Sequence, residues 1–254
     1  MGLTVAMSED AIVDDPRLAT TVSVPDARRG PPGMGNGGWV CGTVAAHLGA
    51  GPVEVTLRAP TPLDTPLELR VGDDHASLSQ GGGLLATARR SPGRLRAPAA
   101  VDWDDAVAAE SGFVGHHDHP FPGCFVCGTG RAVGDGLRIF PGPVASAPGR
   151  MAAVFSPLDA DAGPQGHVTP AAVWAALDCP TAWVNMAPGS VALLGRLRAE
   201  VHGELFPGRE YLVVAESGGA EGRKAVGRAG IYDRDGHLLA ASEAIWISPR
   251  PPTG

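Results

Sequence analysis

One pattern occurs twice along the chain, and it limits the fold more than any composition figure does. A strand-like run, a helix and a meander of alternating runs fill residues 19–90, and the same order returns after residue 123. In the first pass, 19–24 is the strand, and after Gly35-Asn36-Gly37-Gly38 the segment WVCGTVAAHLGAG is a short helix that starts on glycine and ends at Gly49 to Gly51. Runs at 53–59, 67–71, 75–80 and 84–90 follow, and the Gly81-Gly82-Gly83 turn makes the last two a hairpin. In the second pass, 137–140 and 151–155 are short strands and a helix starts at Thr169. Runs at 191–205, 210–216, 223–232 and 238–248 complete the meander, with Asp235-Gly236 as its last tight turn. The final strands begin alike, LLATA at Leu84 and LLAAS at Leu238, which implies duplication. A sheet wrapped round one helix buries the apolar faces of both, so the expected class is α+β. The expected halves are 1–90 and 123–254. Residues 91–122, rich in Pro, Ala and Gly around the acidic piece WDDAVAAE, read as a linker.

The second helix carries the most informative side chain. Thr169 is a good N-cap and Pro170 suits the first helical position. Between Asp161 and Arg196 the only formally charged side chain is Asp178. On a 3.6-residue period it shares a stripe with Ala171, Trp174 and Ala175, so the helix carries a carboxylate toward the interior. An acid buried without a partner is costly and its pKa rises, which is a frequent mark of a working group. The competing reading is an Asp at the helix end, since Cys179 and Pro180 follow.

Bulk properties exclude several classes. The chain has 254 residues, 44% hydrophobic and 19% charged, with net charge −7. That describes a well-cored globular protein, and scattered arginines on an acidic chain argue against nucleic acid as a partner. The sequence has no apolar run of about 18 residues, so no membrane span is expected. The opening MGLTVAMSEDAIVDD lacks the basic and apolar regions of a secretory signal. Four cysteines make no disulfide framework, and a reducing, cytoplasmic location is expected.

The segments NGGWVCGTVAAHL and VEVTLRAPTPLDTPLELRV resemble the first half of type II acyl-CoA thioesterases. CFVCGTGRAVGDGLRIFPG resembles the lead-in of small hotdog-fold thioesterases, and VWAALDCPTAW their central helix with its acid. The resemblance implies a double hotdog, in which two helix-and-sheet units face each other as a pseudo-dimer. It also implies a glycine amide at one helix N-terminus that polarises a thioester carbonyl, and a carboxylate from the facing unit. The first half keeps Gly37-Gly38 but has Ala45 at the acid position; the second keeps Asp178 but has Pro170-Ala171 at the glycines. One composite site per chain follows: Asp178 as general base or nucleophile, Gly38 as oxyanion donor, Asn36 assisting. Gly37, Trp39, Val40, Trp174, His167 and Ser242 are the expected substrate contacts. The family also uses a hydroxyl and a glutamine on the later strands; those strands here read VALLGRLRAE and ASEAIWIS, with leucine near the first position and Ser242 and Glu243 near the second, so that network is altered.

Other signals are weaker. Cys124-x-x-Cys127 with His116, His117 and His119 upstream suggests zinc, but a second CxxC is absent, and no metal or cofactor is expected. Asp161 and His167 are loosely similar to the hydratase branch of the hotdog proteins. Arg131 and Arg138 are candidates for coenzyme A phosphates. The expected function is acyl-CoA thioester hydrolysis. A non-catalytic acyl-CoA or lipid-binding module is the alternative, hydratase a weaker one, and homo-oligomers of the pseudo-dimer are left open.

Overall fold

The computed structural model of the protein describes residues 12–250; the start of the N-terminal stretch read for a signal, 1–11, and residues 251–254 lie outside the described residues. The first half holds β1 (Leu18–Val22), α1 (Gly37–Ala45), β2 (Val53–Leu57), β3 (Leu67–Val71), β4 (His75–Gln80) and β5 (Gly83–Arg90). After α2 (Trp103–Ala109) come β6 (Gly142–Pro143), β7 (Arg150–Phe155) and α3 (Pro170–Trp183). The chain ends in β8 (Leu193–Val201), β9 (Tyr211–Glu221), β10 (Lys224–Tyr232) and β11 (Leu238–Ile247).

Among the described residues, the strands form one 11-stranded sheet in the order β1-β3-β4-β5-β2-β8-β11-β10-β9-β7-β6. Read outward from the middle, the order β2-β5-β4-β3-β1 is mirrored by β8-β11-β10-β9-β7, so the two halves repeat one topology. They join where β2 pairs antiparallel with β8, Val55 opposite Leu197. The alternation explains the burial: Leu67, Leu69 and Val71 of β3 are buried while Glu68 is exposed. The twisted sheet curls round α1 and α3, which pack on each other at the centre of the main core.

The competing reading of the second helix and two expectations give way. The helix does not stop at Asp178; it runs through Pro180 to Trp183, and the Thr181 hydroxyl donates to the Asp178 carbonyl at 2.6 Å. Residues 137–140 form no strand: Leu137 and Ile139 instead donate to the Phe125 and Val126 carbonyls, at 2.8 and 2.9 Å. The segment read as a linker is packed. Ala106 and Ala109 of α2 join a second core with Val144, Ala152 and Val214. Phe113, fully buried, meets Trp183 edge-on at 4.6 Å and stacks on Phe140 at 5.4 Å.

Candidate functional site

The two central helices cross where neither has bulk. A Cβ on Gly38 would stand 2.5 Å from Asp178 Cβ, 2.7 Å from the Trp174 carbonyl oxygen and 2.8 Å from Ala175 Cα. One on Gly42 would stand 2.6 Å from Ala171 Cα. Gly38 and Gly42, one helical turn apart, therefore form the seam into which the Ala171, Trp174, Ala175 and Asp178 stripe settles.

That crossing places Asp178 on the N-terminus of α1. Its Oδ2 accepts from the Gly38 amide at 2.9 Å and from Asn36 Nδ2 at 3.0 Å. Asn36 works at both ends of its amide, because its Oδ1 also caps α1 by accepting from the Trp39 amide at 2.9 Å. Asp or Ser would cap the helix equally well. Asp, however, would set a second negative charge against Asp178, and Ser has no side-chain N–H to give the carboxylate. Asp178 is 1% exposed and Asn36 2%. Burial pushes the Asp178 carboxyl up to about 7 against the downward pull of the Gly38 amide; the Cys124 sulfur raises it further and Asn36 lowers it. Asp178 Oδ1 is buried and has no hydrogen-bond partner among the described residues.

Asp178, Asn36 and Gly37 line a cavity of about 390 Å³ with predominantly apolar walls. Val40 and Leu57 come from the first half, Trp183, Met186 and Trp246 from the second. Leu193, 41% exposed, stands on its wall at the surface. Cys124, Cys127, Cys179 and His119 line the same cavity. The second group of potential metal ligands among the described residues, Asp233, Asp235 and His237, lies in a surface turn in which Asp233 accepts from the Asp235 and His237 amides at 3.0 and 2.8 Å.

Of the residues expected from the sequence, Asp178, Asn36 and Gly38 meet, and Gly37 and Val40 line the cavity. The Gly38 amide is engaged by Asp178; Gly37, the first residue of α1, is the glycine on the cavity wall. The remaining expected contacts lie elsewhere. Trp39 meets Phe125 edge-on at 5.4 Å under the Arg28 guanidinium. Trp174 is buried in the helix crossing. His167 pairs with Glu204 at 3.2 Å, and the Ser242 hydroxyl donates to the Leu177 carbonyl at 3.3 Å. Asp161 faces Arg28 at 2.9 Å rather than His167. Arg131 pairs with Asp135 at 2.7 Å and Arg138 donates to the Arg131 carbonyl, and neither lines the cavity. Sequence reasoning missed Trp183, Met186 and Trp246, whose apolar character carries no positional signal, and Cys179, which only the fold brings to Cys124.

No protein-family model matches the sequence, and no curated protein matches it. Solved structures do. The tesB protein of Mycobacterium avium subspecies paratuberculosis has TM-score 0.61 at 12% identity, over 91% of this chain and 93% of that one. The acyl-CoA thioesterase II TesB2 of Mycobacterium marinum has 0.58 at 14%, over 92% and 94%. A protein described as having a hot dog fold from Alicyclobacillus acidocaldarius has 0.53 at 14%, over 94% and 95%. At these identities the likeness establishes the fold: this chain is built as a hotdog, helix wrapped in antiparallel sheet.

Proposed function

We propose that the protein is a double hotdog, derived from a duplicated unit, that hydrolyses acyl-CoA thioesters in the cavity beside Asp178. The observation that carries the reading is the Asp178 carboxylate. One oxygen is fixed by the Gly38 amide and Asn36, and the other is buried without a partner in a residue that lines an apolar cavity. A group oriented through one oxygen has the second available to take a proton from water. Asp178 Oδ1 takes a proton from water as the water oxygen bonds to the thioester carbon; the C–S bond then breaks, and Asp178 returns that proton to the departing thiolate. Asn36 and Gly38 hold the base in position, and the Gly37 amide, at the positive end of α1, receives the developing oxyanion. One such donor is typically worth about 3 kcal/mol of barrier. The acyl chain lies against Val40, Leu57 and Met186, and Arg58 and Arg223, which also line the cavity, suit the phosphates of coenzyme A.

The test is a panel of acyl-CoAs of graded length, incubated with the protein while released thiol is trapped. Turnover with at least one member supports the reading; no release across the panel refutes it. The arrangement of Ser242 favours a second reading, an acyl-CoA binding module. Its hydroxyl faces the Leu177 carbonyl, and the side-chain hydrogen bonds of Asp178 go to α1 and its cap alone. Binding measured by calorimetry without thiol release is the result expected of that module.

A further inference from the structure

Three cysteines meet on the cavity wall, and no step of the proposed hydrolysis uses them. Cys124 and Cys127 come from the loop before β6, and Cys179 from α3. Their sulfurs all lie within 4.8 Å of one another, with Cys124 and Cys179 3.8 Å apart. All three are buried and none is in a disulfide. With Zn–S bonds of about 2.3 Å, two sulfurs of a tetrahedral zinc site stand about 3.8 Å apart.

The loop is shaped for this. The Gly128 amide closes the turn on the Cys124 carbonyl at 2.9 Å, and the Gly130 amide on the Pro122 carbonyl at 2.9 Å. A Cβ on Gly128 would stand 2.4 Å from the Cys124 carbonyl oxygen and 2.5 Å from that of Pro122, so Cys-x-x-Cys-Gly needs its glycine. Two side-chain N–H groups stand beside the sulfurs. Asn36 Nδ2 stands 4.0 Å from Cys124 Sγ and 3.9 Å from Cys179 Sγ. His119 Nε2 is 3.3 Å from Cys127 Sγ, while its Nδ1 accepts from the Phe121 amide at 3.0 Å. That acceptance puts the proton of the neutral ring on Nε2, so His119 donates to Cys127 and does not ligate through that nitrogen. Two N–H groups beside three clustered sulfurs suit metal-bound thiolates, whose charge they would offset, better than a plain packing of apolar thiols.

We propose that Cys124, Cys127 and Cys179 bind a zinc ion as thiolates, with His119 as a hydrogen-bond donor to Cys127 and the fourth coordination position facing the cavity. The sequence conceals the site because the ligand that completes it follows Asp178 on a helix far along the chain. A fourth position facing the cavity suits a water or a thiol as the exchangeable ligand. The inference stands apart from the hydrolytic reading, since a chain that turned over no thioester would bind zinc all the same.

The experiment measures zinc by elemental mass spectrometry on full-length protein purified with a phosphine reductant and no chelator. The metal is then exchanged for cobalt and the absorption spectrum recorded. One zinc per chain is expected, together with thiolate-to-cobalt charge-transfer bands and the intense visible bands of four-coordinate cobalt, which shift when a small thiol is added. Cys127→Ser and Cys179→Ser lose the metal, whereas Cys41→Ser, a buried cysteine outside the cluster, and His119→Ala keep it. Protein that holds no zinc after reconstitution and gives no charge-transfer band overturns the proposal without reliance on any variant. Full zinc content in Cys179→Ser overturns it as well. Loss of zinc in a folded His119→Ala, or cobalt bands indifferent to added thiol, overturns the assignment of the fourth position.

Discussion

Gly38→Ala tests the helix crossing on which the site is built. The added methyl would lie 2.5 to 2.8 Å from Asp178 Cβ, the Trp174 carbonyl oxygen and Ala175 Cα, where ordinary carbon contacts need about 3.5–4.0 Å. Two of the three obstacles are backbone of α3, so relief requires the helices to part by about 1 Å and cannot come from a rotamer change. Overpacking of this kind costs about 1–3 kcal/mol. Parting the helices also stretches the Gly38 amide bond to the Asp178 carboxylate, a charge-assisted bond worth about 1.5–3 kcal/mol. Alanine returns about 1 kcal/mol of helix propensity. The net loss is about 3 kcal/mol, a drop in Tm of roughly 6 to 12 °C for a domain of this size. Differential scanning calorimetry reads it, with Gly37→Ala as the control. A Cβ there meets the Leu194 and Leu57 side chains, which can move, so the change is expected to stay within about 1 kcal/mol. Gly38→Ala as stable as wild type would refute the close-crossing argument and the fixed Asp178 geometry with it.

Other outcomes follow from the same structure. Arg28→Ala leaves Asp161 buried and without its cation, at a cost of about 3–5 kcal/mol near neutral pH. Burial raises the Asp161 carboxyl and Arg28 pulls it back down, so the arginine's contribution is present above that pKa and is lost as pH falls through it. Urea unfolding of wild type and variant should therefore converge on acidification, and a constant gap would contradict the pairing. Phe113→Ala removes a fully buried ring between Phe140 and Trp183, and denaturant unfolding should report a loss of about 3–5 kcal/mol. A neutral result would mean that residues 91–122 are the loose linker their composition suggests.

The legible part of the protein was written in periodic and punctuating residues. Strand-like runs, some alternating and several bounded by turn residues, marked ten of the eleven strands among the described residues to within a few residues, and the 3.6-residue stripe through Ala171, Trp174, Ala175 and Asp178 picked out the face that meets α1. Asn36-Gly37-Gly38 marked the start of α1, because capping and glycine chemistry are local. What failed was decided by distant packing. Pro180 reads as a stop, yet burial of α3 on both sides carries the helix past it. Residues 91–122 look like a linker because Ala and Pro carry little periodic signal, although Ala106, Ala109 and Phe113 are core. Trp39 and Trp174 look like cavity walls because they are large, apolar and close to the acid. Their neighbours Phe125 and Gly42 draw both elsewhere. Cys179 joins Cys124 only after α3 docks.

The most direct measurement is kcat/KM for acyl-CoA hydrolysis by wild type and by Asp178→Asn. The substitution keeps the side chain's size and one carbonyl oxygen for the Gly38 amide, but removes the base. With matched unfolding temperatures, the account predicts a loss of at least about a hundredfold, the usual contribution of a positioned base. A folded Asp178→Asn that turns over the substrate at the wild-type rate would contradict it.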